Sequence, residues 1–159
     1  MNGIPRGRRA SKPIRVTLAK QLGSGIDGAW WPHSSAMAME LPDLVGALHR
    51  PLGEIDAIRV NWSESEGQLD LETMATGSRL MLPGECHRRP RLMVVVGRAA
   101  SANLLVLPTM TSQALGAMVM RTAAGLPTSV GSGDGRLYET ACVVMSLAKA
   151  ESAKWCESA

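Results

Sequence analysis

Phenylalanine is absent from this chain of 159 residues, tyrosine occurs once, and the cysteines number three, far apart at Cys86, Cys142 and Cys156. Without Phe, the interior has to be built from Leu, Val, Ile and Met. Three scattered cysteines exclude the disulfide framework of a small secreted domain and point to a reducing, cytoplasmic setting. No apolar run approaches the roughly 18 residues of a membrane span, and the first residues lack the apolar core of a secretory signal, so no membrane partner is expected. No C-x-x-C or H-x-x-x-H spacing connects Cys86, His87, His33 and His49, which argues against zinc. No Lys-Ser or Lys-Thr pair follows a glycine loop, and "GSGDG" (131–135) is not the G-x-S-x-G of a nucleophile elbow. Acidic residues are missing from Met1 to Ile26, a stretch that carries Arg6, Arg8, Arg9, Lys12, Arg15 and Lys20.

What is present is an apolar content of 45%, with ten methionines and four tryptophans. The length suits one domain with a core and is too short for two of ordinary size. The methionines read as gap fillers of that core. The net charge of +3 is uneven, with the basic start, a second basic knot at "HRRPR" (87–91), and acidic residues between Glu54 and Glu72.

Residues 1–13 mix Gly, Pro, Ser and Arg and read as a flexible basic arm. "IRVTLA" alternates Ile14, Val16 and Leu18 with polar neighbours, as a half-buried strand does. Met37, Leu41, Leu44, Val45 and Leu48 share one helical face; Pro42 is expected to open a second, shorter helix that Pro51 and Gly53 end. Strands follow at "IDAIRVNW", with Ile58, Val60 and Trp62 on one face and Arg59, Asn61 and Ser63 on the other. "QLDLET", "SRLMLPG", "RLMVVVG" and "LLVLP" continue the series, the last two joined at "SAN" (101–103). Thr111 or Ser112 caps a helix that Gly125 ends. Residues 14–125 thus form a single α+β domain, in the order strand, helix, five strands, helix. The expected sheet is antiparallel, of about five to six strands, with helices packed on one face. Residues 126–159 read as a flexible linker and a C-terminal helix.

The most conspicuous motif is "GSGIDGAWWP". Gly23, Gly25 and Gly28 match G-x-G-x-x-G, the spacing of a dinucleotide loop, but such a loop must open a helix aimed at the phosphates. Trp31 precedes Pro32 and is therefore held extended, so no helix begins there and no cofactor is expected. The glycines read instead as a tight reversal, with Asp27 accepting backbone hydrogen bonds. Adjacent extended residues point to opposite sides. One of Trp30 and Trp31 is thus expected in the core and the other at the surface, where Asp27, Trp30, Trp31 and His33 would form a contact for a small ligand or a protein. The function expected on these grounds is a non-enzymatic binding module. One alternative is a small enzyme with Asp27 and His33 as an acid-base pair. Another is a nucleic-acid-associated protein that uses Arg6, Arg8, Arg9, Lys12, Arg88, Arg89 and Arg91.

The stretches "DGAWWP", "ELPDLVGAL" and "LLVLPTMTSQALGAM" resemble a family of small, uncharacterised actinobacterial proteins, a domain of unknown function. The resemblance runs from Ile14 to Ala124 and implies no activity and no catalytic residues. The tail beyond Gly125 departs from the compact form of that family.

Overall fold

A computed structural model describes residues 13–23, 25–34, 36–63, 71, 74, 75, 90–126 and 135–158. In chain order the elements are β1 (Val16–Leu18), β2 (Gly28–Trp30), α1 (Met37–Leu52), β3 (Ile55–Val60), β4 (Arg91–Gly97), β5 (Ser101–Val106), α2 (Gln113–Ala123) and α3 (Gly135–Ser158). The strands form one sheet in the order β1-β2-β5-β4-β3. β1–β2, β3–β4 and β4–β5 pair antiparallel, whereas β2 and β5 pair parallel, with Trp30 beside Val106.

The fold is therefore α+β with a mixed sheet, and the purely antiparallel arrangement expected from the strand spacing is corrected at β2–β5. The cause lies in the crossover. α1 carries the chain from the end of β2 back along the sheet, so β3 starts at the opposite end and runs in the direction of β2. β4 pairs antiparallel with β3 and β5 antiparallel with β4, so β5 runs the same way as β2 and takes its place beside it.

Other local expectations shift as well. α1 is one continuous helix that holds both Pro42 and Pro51 rather than two, and it ends at Gly53, whose φ of 81° suits glycine. The β4–β5 reversal lies earlier than "SAN", where the Gly97 N–H donates to the Ala100 carbonyl. Leu71, Met74 and Ala75, placed at the "QLDLET" strand and just after it, are helical and buried. Their spacing of i, i+3 and i+4 fits a helix face, and Leu69 with Leu71 was too short a run to discriminate. The "SRLMLPG" strand, residues 1–12 of the basic arm and residues 131–134 of "GSGDG" lie outside the described residues. The α2 cap is as expected: the Ser112 hydroxyl accepts the Leu115 N–H, and Gly125 has a φ of 70°.

The helices cover both faces of the sheet rather than one. On the first face Leu44, Leu48 and Leu52 of α1 pack with Trp30, Met93, Val95, Leu104 and Val106. On the second, Leu115, Val119 and Ala123 of α2 and Ala141, Val144 and Ala148 of α3 pack with Trp31, Leu92, Leu105 and Leu107. Strand alternation assigns successive residues of β4 and β5 to different cores. Among the described residues, no helix is long and apolar enough to cross a membrane.

Candidate functional site

The tryptophan motif is the second half of a β-hairpin. Gly23 and Gly25 take φ values of 100° and 117°, in the region that only glycine enters freely. Gly28 serves differently: a Cβ there would run into the Thr17 carbonyl across the β1–β2 pair. The three glycines are thus accounted for by chain reversal and close strand approach, with no phosphate needed.

Asp27 ties this reversal to the sheet. One carboxylate oxygen accepts the Gly23 N–H at 2.7 Å and the other the Asn103 N–H at 2.8 Å. Its own N–H donates to the Asn103 carbonyl at 2.7 Å, and its carbonyl accepts the Ala19 N–H. The side chain is 3% exposed, so it is a buried acceptor with both oxygens in use, worth more than a neutral hydrogen bond because it is charged.

Trp30 and Trp31 are 1% and 3% exposed. The expected opposition of the two side chains holds, but the expected exposure of one does not. The sheet has helices on both sides, so each indole has a core to enter. The Trp31 ring lies against Gly116 of α2, where a Cβ would collide with it. Its other cover is Arg15, whose guanidinium stands 3.8 Å from the ring centroid. Arg15 Nε donates to the Trp31 carbonyl and its Nη2 to the Pro32 carbonyl, both at 3.1 Å. Burial lowers the pKa of this guanidinium, and the charge of Glu40 opposes that shift; an arginine so placed stays charged. The Trp31 Nε1–H is buried without a hydrogen-bond partner.

Beyond Pro32 the chain is stitched to the start of α1 by Glu40, whose two oxygens accept the His33 N–H and the Ser34 hydroxyl at 3.0 and 2.9 Å. The His33 Nε2 lies 2.8 Å from the Pro13 carbonyl. A carbonyl only accepts, so Nε2 carries the proton.

These contacts separate Asp27 from His33. They lie before and after β2, and the extended residues 27–31 alone span roughly 13 Å at about 3.3 Å each. The geometry that an acid-base pair requires is not formed. Of the basic residues considered for nucleic acid, Arg6, Arg8, Arg9, Lys12, Arg88 and Arg89 lie outside the described residues. Arg91 is described, and its guanidinium sits 4.9 Å from the centroid of the Trp62 ring. Among the described residues no three His, Cys, Asp or Glu side chains converge as a metal site requires.

Two asparagines make buried contacts that the sequence does not announce. Asn61, assigned to the outer face of a strand, is buried just beyond β3. Its amide oxygen accepts the Leu92 N–H at 2.8 Å, and its amide nitrogen donates to the Pro90 carbonyl and to Glu151 of α3. Asn103, in β5, donates to the Ser152 hydroxyl at 2.6 Å. Each sits at the polar phase of its strand's alternation, where a residue reads as solvent-facing.

The arrangement is well built for holding a shape. At the tryptophan motif Asp27 and Arg15 are committed to backbone partners, and β2 and β5, paired in parallel, finish at the same end of the sheet. There Met39 in the first turn of α1 and Met110 after β5 are 70% and 89% exposed.

No curated protein and no solved structure matches the chain. A family model does, over residues 15–123, from the first strand to the end of α2. The chain therefore belongs to DUF5994, a family of unknown function.

Proposed function

We propose that the chain is a binding module whose contact surface lies at the carboxyl ends of β2 and β5, with Trp30 and Trp31 as its foundation and His33, Met39 and Met110 at its surface. The observation that carries this reading is the exposure of Met39 and Met110 at that one end of the sheet. Both methionines follow strands that finish at that end of the sheet, and an exposed methionine adapts its shape to a partner. Contact is favoured over catalysis because both oxygens of Asp27 bind backbone N–H groups and His33 Nε2 binds Pro13.

The test uses the full chain as bait, with a Met39→Ser/Met110→Ser double variant beside it. Each of these exposed substitutions changes stability by about 0.5 kcal/mol or less. The variant is therefore expected to unfold like the parent while losing a partner that the parent captures. Retention of every captured partner by the double variant rejects the surface.

A further inference from the structure

The two edges of the sheet are unlike. β1 is three residues long, and its Thr17 hydroxyl donates to the Met120 carbonyl of α2. β3 is six residues long and ends the sheet on the other side, with Asp56, Ala57, Arg59 and Val60 exposed. Val60 in particular is an apolar side chain 40% open to solvent.

The register of β3 on β4 shows which backbone groups are already used. The Asn61 N–H donates to the Leu92 carbonyl, and this contact continues the pairs Arg59–Val94 and Val60–Met93. Bonded and non-bonded pairs alternate along an antiparallel ladder. Ala57 and Arg59 therefore turn their N–H and C=O groups toward β4, while Ile58 and Val60 turn theirs outward. Among the described residues, nothing bonds to those outward groups. Such a row is a template for one more strand.

The charges of β3 indicate which strand that is. Glu54 and Asp56 stand at its start and Arg59 near its end. Arg98 lies 3.5 Å from Glu54 and 3.6 Å from Asp56, so one cation serves two carboxylates and the start of the strand stays net negative. Charges and bulges on an edge discourage indiscriminate pairing. Here the signs are opposite at the two ends, so a parallel copy of β3 would set Arg59 against Arg59, whereas an antiparallel copy sets the basic end against the acidic one. With Ile58 on a two-fold axis, Ile58 and its copy exchange both N–H···O=C bonds. Arg59 then stands opposite Ala57 of the second copy, next to Asp56. A slip that centres the pair on Arg59 would bring like charges together, and like charges directly opposite are destabilising.

We propose that β3 is a homodimerisation edge: a second copy of the chain adds its own β3 antiparallel, across a two-fold axis at Ile58, and joins two five-stranded sheets into one. The contact is isologous, the same patch meeting itself. β4 and β5 separate β3 from β2, so this edge is distinct from the methionine surface and does not depend on it.

Sedimentation velocity on the full chain tests the proposal. The parent should pass from one chain to two as its concentration rises, and the Ile58 and Val60 amides should gain exchange protection with it. Val60→Pro removes an outward N–H, spares the bonds to β4, and should weaken the association at least about tenfold. Arg59→Glu and Asp56→Lys each place like charges on both sides of the axis, and each should weaken it about tenfold. An equimolar mixture of these two charge variants restores both opposite-charge pairs in a mixed dimer, which should form within about threefold of the parent affinity. A parent chain that stays monomeric to about 1 mM overturns the proposal. So does a dimer that Val60→Pro leaves intact, or a mixture of the charge variants that associates no better than either variant alone.

Discussion

The two faces of the sheet start from adjacent residues of β2 and are closed in different ways. On the Trp30 face, among the described residues, α1 supplies Leu44, Leu48 and Leu52, and residues at the margin such as Ile14, Val16, Leu18 and Trp62 stay half-buried. On the Trp31 face α2 and α3 close the core together with the helical Leu71, Met74 and Ala75, and the fit is specific: a glycine of α2 receives the indole and an arginine of the first hairpin caps its ring. One face relies on bulky aliphatic side chains, the other on shape. A two-residue aromatic motif in an extended segment is thus a device for anchoring two cores at once, because the pleat sends neighbours to opposite sides.

Substitution should separate these two modes. The largest effects are expected at the tryptophans. Trp30→Ala and Trp31→Ala each remove a nearly fully buried indole, and each should lower unfolding free energy by about 3–5 kcal/mol in urea titration. A parent-like midpoint for either variant breaks the symmetry of the comparison.

Asp27→Ala comes next, because it strips the partners from two backbone N–H groups. An unsatisfied buried donor costs about 1–3 kcal/mol, so a loss of about 2–4 kcal/mol is expected. Asp27→Asn should recover little, since its amide –NH2 would face one of the two donors. Full recovery by Asn would mean that only one of the two carboxylate bonds matters.

Gly116→Ala is the smallest change and the one that best distinguishes the faces. It adds one methyl group against the Trp31 ring and is expected to cost about 1–3 kcal/mol, although alanine favours helices. Gly46→Ala, in α1, meets open space and should be neutral or mildly stabilising. Equal effects at the two glycines would remove the claim that only the Trp31 face depends on shape.

Much of this architecture is legible in the sequence. The period-2 runs give β1 and β3, the continuous apolar runs give β4 and β5, the Ser112 cap gives α2, and Pro32 removes the phosphate-loop reading of the glycines. The parallel β2–β5 pair is harder to read, because it follows from where α1 delivers the chain and not from any residue in β2. The exposure of the tryptophans depends on the same global placement: their opposition is local, but Trp31 finds a core only because α2 and α3, more than eighty residues on, pack over it. Arg15 illustrates a signal that was available. Once the hairpin register pairs Val16 with Trp30, Arg15 stands across from Trp31, and its role as a cap follows. Leu71 shows the reverse, since two alternating leucines carry too little periodicity to outweigh the helical spacing of Leu71, Met74 and Ala75. Asn61 and Asn103 were hidden because a polar residue in a strand reads as solvent-facing until the helix that satisfies it is placed.

The central claim is that both tryptophans of the motif are structural and neither is offered to solvent. The direct measurement is acrylamide quenching in a Trp62→Phe/Trp155→Phe chain, which leaves Trp30 and Trp31 as the only indoles. The account predicts blue-shifted emission that acrylamide barely quenches in the native state and quenches freely in urea. A native-state component quenched as readily as in the unfolded chain would contradict it.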